Sequence, residues 1–137
     1  MAMQGSAAPT ILLVDDDATL WAALGSVLSS YGYRVRTAAS AESAYALLGS
    51  TEIDALILDV RLPTMSGLAL YVAVVSRWPA LRNAIAFLTA DADAPDVSAW
   101  LEVHPCTVFR KPCPIGGLLG WVGEVTSRRA GRKRASS

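Results

Sequence analysis

Ile11-Leu12-Leu13-Val14, Asp54 to Asp59 and Ala84 to Thr89 are short aliphatic runs, each ending at a polar residue and each followed by a segment with helical spacing. Strands buried on both faces read as continuous apolar runs, whereas half-exposed strands alternate. Such runs can be covered only by helices packed on both faces of a sheet. The rest of the chain keeps this rhythm. Asp17 is placed to cap a helix with Leu20, Leu24, Val27, Leu28 and Tyr31 inward, ended by Gly32. Tyr33 to Thr37 reads as a weaker strand, and Ser40 to Leu48 as a helix with Ala44, Tyr45 and Leu48 on one side. Pro63 and Ser66-Gly67 punctuate a loop before a helix from about Leu68 to Arg77, closed by Trp78-Pro79. Pro95 to Val103 makes a short helix and Thr107 to Arg110 a last strand. Pro114 to Val125 makes a final helix with Ile115, Leu118, Val122 and Val125 inward. Strands alternating with helices call for right-handed crossovers, so the expected fold is α/β: a doubly wound, five-stranded parallel sheet with helices on both faces.

At 137 residues the chain holds one such domain, and 53% hydrophobic against 18% charged residues supplies its core. No apolar stretch is long enough for membrane insertion, and the first residues lack the pattern of a secretory signal. The expected address is cytoplasmic. The expected division is a flexible leader at 1–9, a domain at 10–126 and a basic, disordered tail at 127–137. Arg128, Arg129, Arg132, Lys133 and Arg134 are five of the twelve basic residues, leaving seven against twelve acids in the body, a net of −5. Cys106 and Cys113 match neither a redox pair nor a zinc knuckle and read as reduced thiols.

In a doubly wound sheet ligands bind beyond the carboxyl ends of the strands, so the polar residues that end the apolar runs belong together. They are Asp15 and Asp16, Asp59, Thr89 and Lys111. Carboxylates converging on one rim repel unless protonated or bridged by a cation, and a hard divalent ion with oxygen ligands suits them. Asp15, Asp16 and Asp59, with a backbone carbonyl at Arg61, form the candidate site for Mg2+ or Mn2+. Lys111 adds a fixed positive charge, Thr89 a hydroxyl, and a carboxylate can act as a covalent phosphoryl acceptor. Asp59 is the candidate acceptor.

The set "ILLVDDD", "LILDVRLPTMSG", "LTAD" and "VFRKP" resembles, in order and spacing, the receiver domain of bacterial two-component response regulators, over residues 11 to about 126. The resemblance implies a flavodoxin-like fold, Asp59 as phosphoacceptor, Asp15 and Asp16 as metal acids, Thr89 as switch hydroxyl and Lys111 as phosphate partner. It also implies a cis Lys111-Pro112 bond. The implied donor is a sensor histidine kinase or phosphotransfer protein. The implied chemistry is autocatalytic gain and loss of phosphate, not enzymatic turnover. With no room after residue 126 for a DNA-binding helix-turn-helix, the expectation is a stand-alone receiver. It would signal through a downstream protein or through a homodimer.

Val108 stands where members of that family usually carry an aromatic residue, and strand alternation aims neighbouring Phe109 at the opposite face. Thr89, Val108 and Phe109, with Trp100 and Trp121 on the last helices, are the candidate switch and output residues. His104, followed by Pro105, reads as a loop residue and not as a phosphorelay donor. Two other functions compete. A hydrolase of the aspartate-nucleophile phosphatase class would need a second acid two residues after the nucleophile, where Arg61 stands. A receiver-like interaction module acting without phosphate would rely on the altered final helices and the basic tail.

Overall fold

The computed structural model describes residues 8–136, with side chains through 131. Most of the expected leader at 1–9, and Ser137, lie outside the described residues. Pro9 already belongs to the domain, its carbonyl accepting from the Arg34 amide at 2.9 Å. The strands are β1 (Thr10–Val14), β2 (Arg34–Ala38), β3 (Ala55–Leu58), β4 (Ile85–Thr89) and β5 (Thr107–Arg110). The helices are α1 (Ala18–Ser30), α2 (Ala41–Ser50), α3 (Gly67–Arg77), α4 (Pro95–Val103) and α5 (Ile115–Ser136).

All five strands run parallel in the order β2-β1-β3-β4-β5. The apolar runs of β1, β3 and β4 are wholly buried and central, while β2 and β5 are edges. Arg34 and Arg36 on β2 face solvent and blunt that edge. The order reverses between β1 and β3, the topological switch at which an α/β sheet opens a crevice. Asp15 and Asp59 follow those two strands directly.

Capping fixes where the helices begin. Asp17 accepts from the Leu20 amide, Ser40 from Ser43 and Ser66 from Ala69, at 3.1, 3.2 and 3.1 Å. Gly32, at φ 92°, lets the chain leave α1 in the left-handed region that other residues resist. Pro79 opens a 3-10 turn over Pro79–Ala84, a stretch for which the sequence assigns no element before the strand expected from Ala84.

The largest departure is at the C-terminus. The expected end of the last helix at Val125, followed by a disordered tail, is corrected: α5 runs on to Ser136. Arg and Ala are good helix formers, and the extension has partners. Arg128 pairs with Glu124 one turn back at 2.7 Å. Arg129 reaches Asp54 at 3.6 Å and donates to the Ala80 carbonyl at 3.4 Å, so it docks against the amino-terminal end of the sheet. Three inward expectations also fail: Tyr31, Tyr45 and Ile115 are exposed. Tyr45 instead lies against Trp78, with ring centroids 5.0 Å apart.

Candidate functional site

The backbone ladder continues one residue past β1, β3 and β5. The Asp15 amide donates to the Ala38 carbonyl at 3.1 Å, Asp59 to Val14 at 3.0 Å and Lys111 to Thr89 at 3.0 Å. Each functional side chain therefore leaves a backbone still anchored in the sheet. Behind Asp59 the fit is tighter still, because a Cβ added at Gly67 would stand 2.0 Å from the Asp59 carbonyl oxygen. Only glycine allows α3 to begin this close to the end of β3.

The Lys111 ammonium donates to Asp15 Oδ2 at 2.9 Å and to Asp59 Oδ2 at 3.0 Å, joining three strand ends at one point. The carboxylates are 8% and 10% exposed and the ammonium 22%. The second oxygen of each acid is held locally: Asp15 Oδ1 accepts from the Asp17 amide at 2.9 Å and Asp59 Oδ1 from the Arg61 amide at 3.3 Å. Burial pushes the Asp15 carboxyl above its ordinary range, and the nearby Asp59 adds to this, against the lowering effect of Lys111 and the Asp17 amide. Burial also pulls the Lys111 ammonium down, but its bonds to Asp15 and Asp59 outweigh this and leave it raised. One cation for two buried acids leaves negative charge that is only partly compensated.

That surplus, presented entirely by oxygens, fits a hard divalent cation. Among the described residues no group of three His, Cys, Asp or Glu side chains forms a closed metal cage. A cation here would keep several waters, as magnesium does. Asp16 is exposed one residue beyond the pair, and no hydrogen bond joins it to Asp15 or Asp59. Thr89 is 1% exposed and its hydroxyl accepts from the Asp91 amide at 3.1 Å. It ends β4, next to β3, but is not bonded to the carboxylates. The Lys111-Pro112 bond is cis.

A matching sequence model, described as the response regulator receiver domain, spans residues 11–122. The chain belongs to this receiver domain family. It is 32% identical over 137 residues to the transcriptional regulatory protein PrrA of Mycobacterium tuberculosis, covering 97% of this chain and 56% of that one. It is 37% identical over 129 residues to the C4-dicarboxylate transport transcriptional regulatory protein DctD of Rhizobium meliloti, covering 94% and 26%. The chain thus spans about half, or less, of the curated relatives it matches. Among solved structures, the signal receiver domain of an HD domain-containing protein from Pseudomonas fluorescens superposes with a TM-score of 0.83 at 26% identity, covering 96% of each chain. A putative response regulator from Chloroflexus aurantiacus gives 0.76 at 35%, covering 88% of this chain and 98% of that one. The fold is thus the flavodoxin-like α/β arrangement of receivers, and phosphoacceptor signalling is the general business of this receiver family.

The candidate output residues do not form one exposed patch. Trp100 packs edge-on against Tyr71 and Phe87, at 5.4 and 5.8 Å, and stacks on His104 at 4.1 Å. His104 follows α4 as its C-cap, with its ring half-buried on that indole. Phe109 meets Trp121 at 6.3 Å on the α5 side, and Val108 pairs in register with Phe87. A cleft of about 920 Å3 is lined by Ile85, Cys106 and Thr107 at the starts of β4 and β5, so it lies at the opposite end of the sheet from Asp59. Both cysteines are free thiols whose pKa values burial raises.

Sequence reasoning missed two features. Gly67 read as loop punctuation although it sets the approach of α3 to Asp59. Arg61 was considered for its carbonyl alone, yet its side chain reaches Asp91 and Asp96 across the rim. Three aspartates at 91, 93 and 96, downstream of an arginine two residues after Asp59, are the available signal.

Proposed function

We propose that Asp59 accepts a phosphoryl group from the phosphohistidine of a sensor histidine kinase or phosphotransfer protein, and that the modified domain signals in the cytoplasm to a downstream protein or through a second copy of itself. The observation that carries this reading is the single ammonium shared by Asp15 and Asp59 at 2.9 and 3.0 Å. A carboxylate oxygen of Asp59 attacks phosphorus. The new P–O bond forms as the donor's P–N bond breaks, and the electron pair leaves with the imidazole nitrogen. Lys111 holds the Asp59 oxygen in place and neutralises charge gathering on the phosphoryl oxygens, while the Thr89 hydroxyl is one strand away to donate to them. Mg2+, or Mn2+ in its place, supplies further neutralisation when bound, and Asp15, Asp16, Asp59 and the Arg61 carbonyl would hold it.

Loss of the phosphate is slow and autocatalytic. No acid stands two residues after Asp59 to act as the general acid/base of a phosphatase, so external esters are not turned over. The relatives named as transcriptional regulators are covered only in part, and this reading concerns the receiver alone.

Incubation with acetyl phosphate and magnesium, followed by intact-mass analysis, tests it. Wild type gains one phosphoryl group, whereas Asp59→Asn and Lys111→Ala gain none. A wild type without adduct sinks the proposal. That result would favour the second reading, an interaction module acting without phosphate, for which the specific observation is Val108 in place of an aromatic switch residue.

A further inference from the structure

The acceptor loop and the start of α4 are fastened together by charge. Arg61 donates from Nε to Asp91 Oδ2 at 2.8 Å and from its two terminal nitrogens to Asp96 at 3.0 and 3.2 Å. The second contact is a two-pronged arginine–carboxylate pair, the strongest geometry such groups make. Arg61 is also tied to the acceptor, because its own amide donates to Asp59 Oδ1 at 3.3 Å. Asp91, in turn, rests its amide on the Thr89 hydroxyl at 3.1 Å. One residue therefore touches the phosphoacceptor with its backbone and α4 with its side chain.

Apart from a backbone turn, in which the Ala94 amide donates to the Asp91 carbonyl at 3.0 Å, the start of α4 has no side-chain cap. Asp96, the acid of its first turn, is the residue that Arg61 grips. Val97 is the buried anchor of the helix. The Arg61, Asp91 and Asp96 side chains are 49%, 45% and 62% exposed, so the clasp sits in high dielectric and a new charge nearby can outcompete it. A phosphoryl group on Asp59 is such a charge: it carries roughly one and a half to two negative charges where the carboxylate carried one, and it places them farther out, beside the residue that bears the guanidinium.

We propose that Arg61 is a positioning residue that reports phosphorylation to α4. In the unmodified chain its guanidinium holds Asp91 and Asp96. With phosphate on Asp59 the guanidinium turns to the phosphoryl oxygens and frees the first turn of α4. This route needs no aromatic side chain at Val108. It rests on the phosphoacceptor reading of Asp59.

The test is hydrogen exchange of peptides covering residues 90–103 in the full chain, with and without acetyl phosphate and magnesium, with intact mass run in parallel. In wild type, phosphorylation raises exchange severalfold. Asp96→Asn still gains the adduct, but its unmodified form already exchanges fast and phosphorylation adds nothing. Arg61→Gln keeps the backbone carbonyl and loses the response, and Arg61→Lys restores part of it. Adduct formation with unchanged exchange in wild type, or a wild-type response in Asp96→Asn or Arg61→Gln, overturns the inference alone. Absence of any adduct overturns the phosphoacceptor reading, and the inference with it.

Discussion

Two sets of ion pairs share one rim of the sheet and differ in almost every physical respect. The inner set, Asp15, Asp59 and Lys111, is 8%, 10% and 22% exposed and hangs on backbones still in the sheet ladder. The outer set joins Arg61 to Asp91 and Asp96, and Arg110 to Asp93, with exposures from 45% to 83%. Burial makes the inner charges costly to separate and so fixes their geometry. Water around the outer charges leaves each pair worth little, so those pairs can trade partners. On the proposed reading, chemistry that needs fixed atoms would draw on the lysine set and a signal that needs movement on the adjacent arginine set.

The comparison breaks most visibly at Gly67. If the inner set is positioned by backbone packing, Gly67→Ala must push the Asp59 carbonyl aside, since the new Cβ would meet it at 2.0 Å. Neither backbone can yield cheaply, and a loss of about 3 kcal/mol in urea denaturation is expected, together with loss of the phosphoryl adduct. A variant within about 1 kcal/mol of wild type would show that the site tolerates displacement. Lys111→Met comes next. It leaves two buried carboxylates facing each other without their cation, and a loss of about 2 kcal/mol at neutral pH is expected. Because protonation relieves that repulsion, the gap to wild type should close as the pH is lowered. A gap independent of pH would mean that the lysine acts by packing.

The inner set was largely legible in the sequence, the outer set was not. Asp15, Asp59 and Thr89 stand where apolar runs stop, and a parallel sheet delivers all such ends to one rim whatever the details of packing. The pairs of Arg61 lie 30 and 35 residues apart and involve exposed charges, and nothing in composition says which arginine meets which aspartate. The same blindness explains the last helix. A run of arginine and alanine reads alike as a solvated tail or as a helix, and only the tertiary contacts of Arg129 with Asp54 and Ala80 settle it. Exposed Tyr31 and Tyr45 show a related effect: helical spacing assigns a stripe, but its aromatic margin is free to lie on the surface.

A smaller effect sharpens the charge argument for the inner set. The Asp15 carboxyl is raised above its ordinary value, chiefly by burial. The folded chain therefore holds that proton more tightly than the unfolded chain does, so this group favours folding at low pH and its contribution is lost as pH rises through the raised value. A divalent cation bound there would compete with that proton. Magnesium should stabilise the protein at pH 7.5 by about 1.4 kcal/mol at ten times its dissociation constant. The gain should fade on acidification, starting above the ordinary Asp value of 3.8. A magnesium effect of equal size at pH 7.5 and pH 4, read from thermal midpoints, would uncouple the metal from Asp15.

The smallest effect belongs to Arg110, and it separates mere surface pairing from a clasp. Arg110 meets Asp93 at 2.5 Å, closer than any contact of Arg61, yet the two side chains are 63% and 83% exposed and form a single contact. Distance alone would rank this pair first. Solvent screening and side-chain entropy rank it last, because water competes for both partners and neither is held by a second bond. Arg110→Ala should leave the thermal midpoint unchanged and the exchange of residues 90–103 close to wild type, while Asp96→Asn loosens the same peptides. Doubling the salt should likewise weaken the Arg110 pair before the two-pronged Arg61 pair. If Arg110→Ala loosened α4 as much as Asp96→Asn does, the outer charges would act as one diffuse field, and the special place given to Arg61 would be lost.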